Sequence, residues 1–239
     1  MTPIRFSARG THSRNQKGVA LITVLVMMML SLLLVLGGSR VGLLNERLAG
    51  NSTDYQRAYE AAEALLSDAR LDVACMMGNC VNRAAVTQFT CDIQQFLDLQ
   101  NTLAALNPPC QDGICMDLGT ATDGNPATSF WNNPAQWTTF TTGNRGANFG
   151  QYTGTNITAA NAVNPLLVDR SWYWIEILRY GAGTGSGQSI AGNQSYVGQE
   201  ALRPDLNCSF VFRVTAASRG RRNGTTAVLQ SLYFFRPNL

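Results

Sequence analysis

Histidine is almost missing from this chain. The only one among 239 residues, His12, stands near the N-terminus, so the remainder has no imidazole to act as the base of a Ser-His-Asp or Cys-His arrangement. No catalytic residues are expected, and no cofactor. Charge is scarce as well, at 14 % of residues, and unevenly spread. Residues 1–18 hold Arg5, Arg9, Arg14 and Lys17 but no acid; residues 19–36, VALITVLVMMMLSLLLVL, hold no charge at all, with Thr23 and Ser31 as their only polar interruptions. Of the 18 basic residues, four lie in that first segment, leaving 14 against 15 acids. The rest of the chain is near neutral and gives no argument for nucleic acid or acidic lipid as a partner.

What is there begins with the uncharged run. Its 18 residues span about 27 Å as a helix, close to the hydrocarbon thickness of a bilayer. The segment can cross a membrane, and the basic flank favours an N-in, C-out orientation. A secretory signal peptide carries its small-residue cleavage site after the apolar run, whereas here Gly18, following Gln16-Lys17, precedes it. Cleavage after Gly18 would leave the apolar helix at the new N-terminus. This arrangement resembles the prepilin leader of type IV pilins and type II secretion pseudopilins. Further on, Glu46-Arg47-Leu48-Ala49-Gly50-Asn51, Asp54 and Ala58-Tyr59-Glu60-Ala61-Ala62-Glu63-Ala64-Leu65-Leu66 resemble the N-terminal region of PilX-type minor pilins. Near the C-terminus YWIEI, FRVTAASRG and AVLQSLY are similar to the last strands of the same group. The resemblance covers about residues 16–70 and 170–239. Periodicity alone leaves open a bitopic protein with an uncleaved anchor.

The resemblance implies a leader at 1–18, an N-terminal helix at 19–72 whose residues 19–36 form the membrane and fibre-core segment, and a periplasmic head at 73–239. It implies a prepilin peptidase that cuts after Gly18 and methylates the amine of Val19, followed by passage from the inner membrane into a pilus fibre. The implied partners are other minor pilins, the major pilin and a tip adhesin. Pilins resemble one another in carrying a glutamate where this chain has Thr23, thought to neutralise the N-terminal amine of a neighbouring subunit. A subunit without it suits the start of assembly, at or near the tip. The alternatives are a type II secretion minor pseudopilin and, from a different class, a membrane-anchored periplasmic binding module or adhesin.

Cys75, Cys80, Cys91, Cys110, Cys115 and Cys208 all follow the apolar run, on the exported side, where an even count favours disulfides. A metal site is not expected: the two short pairs are spaced C-x4-C and no histidine stands near. Six cysteines allow many connectivities. The expected one joins Cys75 to Cys80 and Cys110 to Cys115 as short loops and Cys91 to Cys208 as a long one.

Proline is absent from Val41 to Leu71, and Leu44, Leu48, Tyr55, Tyr59, Ala62, Leu66 and Ala69 recur at helical spacing, so the helix is expected to continue to about Asp72 with that face on the head. Gly37, Gly38, Gly42 and Gly50 at the junction allow either a bend or close packing in the membrane. Asp54, Glu60, Glu63 and Asp68 read as a solvated or subunit-facing surface. A helix or two should fill Cys75 to Leu106, ending at Asn107-Pro108-Pro109. From Gly119 to Asn164 a Thr-, Asn- and Gly-rich region, the insertion of about 119–165, carries Phe130, Trp131, Trp137, Phe140, Phe149 and Tyr152. These aromatics either fold the loop onto its own domain or form a contact surface. Gly181–Gly187 lacks the lysine of a phosphate loop and reads as a hairpin connection.

Strands are expected at Trp172–Tyr180, Cys208–Ser218 and Thr225–Arg236, the last two about a turn with Asn223-Gly224. In the middle strand Phe210, Phe212, Val214 and Ala216 should cover the helix while Arg213 and Thr215 face solvent. The expected fold class is α+β: one soluble domain in which a long N-terminal helix packs on an antiparallel sheet.

Overall fold

The computed structural model describes residues 19–76, 83, 89, 91–116, 118, 129–155, 157–179, 208 and 210–234. The expected leader with Gly18, Cys80, part of the Gly119–Asn164 region and the Gly181–Gly187 segment lie outside these residues. The chain divides into two compact units, Met1–Gly50 and Asn51–Leu239, and helix α1 (Val19–Met76) contributes residues to both. It is unbroken through all four junction glycines and ends four residues beyond Asp72.

In the first unit the large apolar side chains from Val19 to Leu48 are exposed, and this helix is long and apolar enough to cross a membrane. Its hydroxyls bond to their own backbone. Thr23 Oγ1 donates to the Ala20 carbonyl at 2.9 Å and Ser31 Oγ to that of Met27 at 2.7 Å, which satisfies them where no water would be present.

The second unit is built on a five-stranded sheet in the order β1-β2-β3-β4-β5. Strands β3 (Ser171–Arg179), β4 (Phe210–Arg219) and β5 (Thr226–Phe234) are antiparallel, with Ile175 opposite Val214 and Val214 opposite Ser231. They match the three expected strands within two residues at each end. The sheet is larger than expected. A hairpin of β1 (Cys110–Gln111) and β2 (Ile114–Cys115) turns at Asp112 and Gly113, both at positive φ as a two-residue hairpin of type I′ requires. Strand β2 then lies parallel to β3, so the sheet is mixed although mostly antiparallel.

One face of the sheet packs on α1. Ala58, Ala61, Ala62, Leu65, Ala69 and Val73 meet Tyr173, Ile175, Ile177, Phe210, Phe212, Val214 and Ala216. This helix stripe shares Ala62 and Ala69 with the expected one but is rotated from it by ~50°, at 100° per residue. Tyr55, Tyr59 and Leu48 are exposed instead. Alanines bring the helix backbone close to the strands, which bulky tyrosines would hold apart. Helix α2 (Ile93–Ala104) is capped by Asp92, whose carboxylate accepts the Gln94 N–H at 2.8 Å, and buries Phe96, Leu99 and Leu103 along one side. Phe89 and Phe210 meet edge to face at 4.9 Å in the same core.

The other face is not open to solvent as expected. It carries a second core in which Phe130, Trp137, Phe140 and Leu118 cover Trp174, Ala217 and the Cys110–Cys115 hairpin. Phe130, Trp137 and Phe140 come from the insertion, where a 3-10 turn (Phe130–Asn132) leads into helix α3 (Pro134–Thr141). Asn133 caps α3 by accepting the Ala135 N–H at 3.0 Å, and proline occupies the first turn, where its missing N–H costs nothing. Phe130 stacks on Phe140 at 4.0 Å and meets the edge of Trp174 at 4.7 Å. These aromatics therefore fold the insertion onto its own domain. Arg213 clamps the buried Glu176 of the neighbouring strand through two bonds of 2.7 and 2.8 Å, and Thr215 is buried under Gln230. A four-residue helix, α4 (Leu166–Asp169), leads into β3.

Candidate assembly site

The candidate site has two sets of residues: the start of α1, and the acids through which α1 holds parts of the head. Val19 opens the helix and its side chain is exposed, as is that of Thr23. No acid stands in the first turn of the helix.

The acids depart from expectation. Glu60 and Glu63 are exposed, but Asp54 and Asp68 are buried, and so is Asp72 one turn further on. All three project from the alanine stripe, and each receives donors from a different part of the head. Asp54 accepts the backbone N–H groups of Arg221 and Arg222, both at 2.9 Å, and so holds the β4–β5 turn. That turn passes close: a Cβ on Gly220 would collide with the Asp54 carboxylate. Asp68 accepts the Gly150 N–H at 2.8 Å and the Thr153 hydroxyl, holding the loop of residues 148–155. Asp72 forms a buried ion pair with Arg83 and accepts the Tyr173 hydroxyl of β3 at 2.8 Å. Arg83 also donates to the Asp112 carbonyl at 2.8 Å and lies over the Tyr152 ring at 3.9 Å.

Electrostatics separate these carboxyls. Burial pushes the Asp54 carboxyl up, but the N–H groups of Arg222 and Arg221, the Thr225 hydroxyl and the Arg222 charge outweigh it, so it ionises below its ordinary range. For Asp68 burial dominates over the bonds from Thr153 and Gly150, and the charge of Asp72 adds to it, so its pKa is raised. Burial also opposes the charge on Arg83, yet its bond and attraction to Asp72 prevail and raise it. Burial and the Asp72 charge hold the Tyr173 hydroxyl protonated, and therefore a donor.

A pH test follows from Asp54. Because its folded pKa is depressed, its stabilising contribution is present above the unfolded carboxylate value and is lost as pH falls through the folded one. Asp54→Asn is expected to lower the denaturation midpoint at pH 7 and to converge with the wild type as pH falls below about 4. Chemical denaturation across pH checks this; a deficit that is independent of pH would refute it.

Disulfides join Cys91 to Cys208, with 5.0 Å between Cα atoms, and Cys110 to Cys115, with 4.1 Å. The first fastens the start of α2 beside the start of β4; the second closes the β1–β2 hairpin. Cys75 lies in the last turn of α1, and its expected partner Cys80 is outside the described residues. Among the described residues no group of histidine, cysteine and acids could hold a metal ion.

Compared with known families, residues 17–66 match the model described as PilX N-terminal, and residues 111–234 match that of type IV pilus assembly protein PilX, C-terminal part. The chain belongs to the PilX family. The second match reaches back to the β1–β2 hairpin and so takes in the middle region, which the sequence resemblance left out. No curated protein and no solved structure matches the chain. Seen as a PilX-family pilin, the chain devotes its first unit to an apolar helix, while in its second the helix acids hold two loops and a strand in place. Sequence reasoning missed these acids because a carboxylate among charged neighbours reads as solvated. The available signal was that Asp54, Asp68 and Asp72 fall on the same helical face as Ala58, Leu65 and Ala69.

Proposed function

We propose that this PilX-family chain is a low-copy minor pilin that helps to start type IV pilus assembly and sits at or near the fibre tip. The reading includes cleavage after Gly18 by a prepilin peptidase, methylation of Val19 and contact with other pilins through the apolar half of α1. The observation that carries it is Thr23. In an apolar fibre core an unpaired ammonium costs several kcal/mol even after relaxation, so a subunit joining beneath another is favoured by an acid that neutralises the amine above it. Thr23 offers no charge, and its hydroxyl is turned onto the Ala20 carbonyl. Such a subunit loses nothing when it is first, because no amine lies above it, and its own amine still recruits the acid of the next pilin.

Immunogold labelling of pili with antibody to the head tests this placement. Gold confined to fibre ends is expected for the natural chain, with Thr23→Glu spreading label along the shaft. Label along the whole shaft for the natural chain would overturn tip placement.

A further inference from the structure

The near-neutral total charge averages over an uneven surface. Every basic residue after Lys17 is an arginine, and four of them meet at one end of the sheet. Arg170 immediately precedes β3 and Arg219 ends β4. The Arg219 N–H donates to the Arg170 carbonyl at 2.9 Å, and Arg170 Nη1 donates to the Gly220 carbonyl at 3.1 Å. Arg221 and Arg222 follow in the exposed β4–β5 turn. Asp54 lies beneath this turn with both carboxylate oxygens on backbone N–H groups, and Asp169 is an exposed acid beside Arg170. Arg222 is engaged with Asn51 Oδ1 at 2.7 Å. Arg221 is exposed, and so is Arg170 although its Nη1 is held on the Gly220 carbonyl.

A second feature accompanies the charge. The Arg219 guanidinium lies over the Trp137 ring at 3.9 Å, and Trp137 meets Trp172 edge to face at 5.5 Å. Arg219 and Trp172 are both partly exposed on the sheet face opposite α1. A guanidinium stacked on one ring keeps its N–H edges for an anion, and its fork fits a phosphate in two-point contact better than an ammonium does. Partial burial already disfavours the charge on Arg219, so an anion there restores what solvent no longer supplies.

We propose that this end of the head binds single-stranded nucleic acid, with Arg170, Arg219 and Arg221 taking successive phosphates and the exposed part of Trp172 receiving a base. Arginines beside an aromatic edge are the components of sequence-tolerant single-strand binding. An acidic polysaccharide is the competing polyanion, and the test includes it.

The test is fluorescence anisotropy of a labelled oligonucleotide of roughly 20 nucleotides titrated with the full-length chain in detergent micelles. Three phosphate contacts give a salt slope of about −2, so raising salt fourfold should weaken binding about 20-fold. Arg221→Gln is expected to weaken binding several-fold and to reduce the slope by about 0.7, and the double variant with Arg219→Gln to weaken it at least about tenfold. Arg221 is exposed in a turn, so its single variant keeps the test valid if the double one fails to fold. Arg179→Gln, at the opposite end of β3, should leave binding unchanged. Three results would overturn the proposal: no saturation up to about 100 µM protein at low salt, an equal loss with Arg179→Gln, or heparin displacing the oligonucleotide at lower concentration than unlabelled oligonucleotide does, which would assign the site to acidic glycans.

Discussion

Replacing Cys91 and Cys208 together by serine is expected to destabilise the head by about 5 kcal/mol, against about 2 kcal/mol for Cys110 and Cys115, on the chain-entropy account of cross-links. The difference comes from loop length: the first bond spans 117 positions and the second five. Whole domains are stable by only about 5–15 kcal/mol, so the first loss is a large part of the total and the second is tolerable. The long bond also joins two elements of the main core, since Cys208 is buried beside Phe210 and Cys91 packs at the start of α2. Denaturant titration of the full chain in detergent, comparing the two serine pairs, measures both values. Equal midpoints for the two variants would show that loop length does not govern their contribution here.

The second large effect is expected at Asp72. Its side chain is fully buried, as is that of its partner Arg83. Asp72→Ala would leave a guanidinium with no opposite charge inside the core and deprive the Tyr173 hydroxyl of its acceptor. Breaking a buried pair from one side costs about 3–5 kcal/mol, because the remaining ion stays desolvated without compensation. Removing both charges is a different experiment: Asp72→Leu with Arg83→Met replaces the pair by apolar volume, which is often close to neutral. The expected pattern is a severe loss for the single variant and recovery of most of it in the double one, read from denaturation midpoints. A single-variant loss below about 1 kcal/mol would mean that the pair is solvated in solution.

Particular residues explain which parts of this architecture were legible beforehand. The apolar run at 19–36 and the strands at β3, β4 and β5 stand out because each is dense in one residue class over its full length, and the fold class followed from them. The coverage of the sheet was not legible. Alternation in β4 reads as one buried and one wet face, but Arg213 and Thr215 are polar residues with partners, and only contacts distant in sequence supply Glu176 and Gln230. The insertion was hidden similarly. Its Thr- and Asn-rich composition reads as loop, whereas Phe130, Trp137 and Phe140 become core by meeting Trp174. On α1 the large side chains suggested the inward face, and small ones form it, because helix-to-sheet approach rewards the absence of bulk. At the start of α1, the missing acid at Thr23 was visible directly, since a charge either is or is not in the sequence.

The span of the Cys91–Cys208 bond also bears on the order of biogenesis. A chain that emerges N-terminus first presents Cys91 long before Cys208, and Cys110 and Cys115 arrive in the interval. Cys110 and Cys115 sit opposite each other in a two-residue hairpin, and closing such short loops takes microseconds or less, far faster than synthesis at about 5–20 residues per second. Cys91 must remain reduced, or be rescued from a wrong partner, until nearly nine-tenths of the chain has been made. A truncated product ending before Cys208 would leave Cys91 without its native partner, a chemical mark of incompleteness.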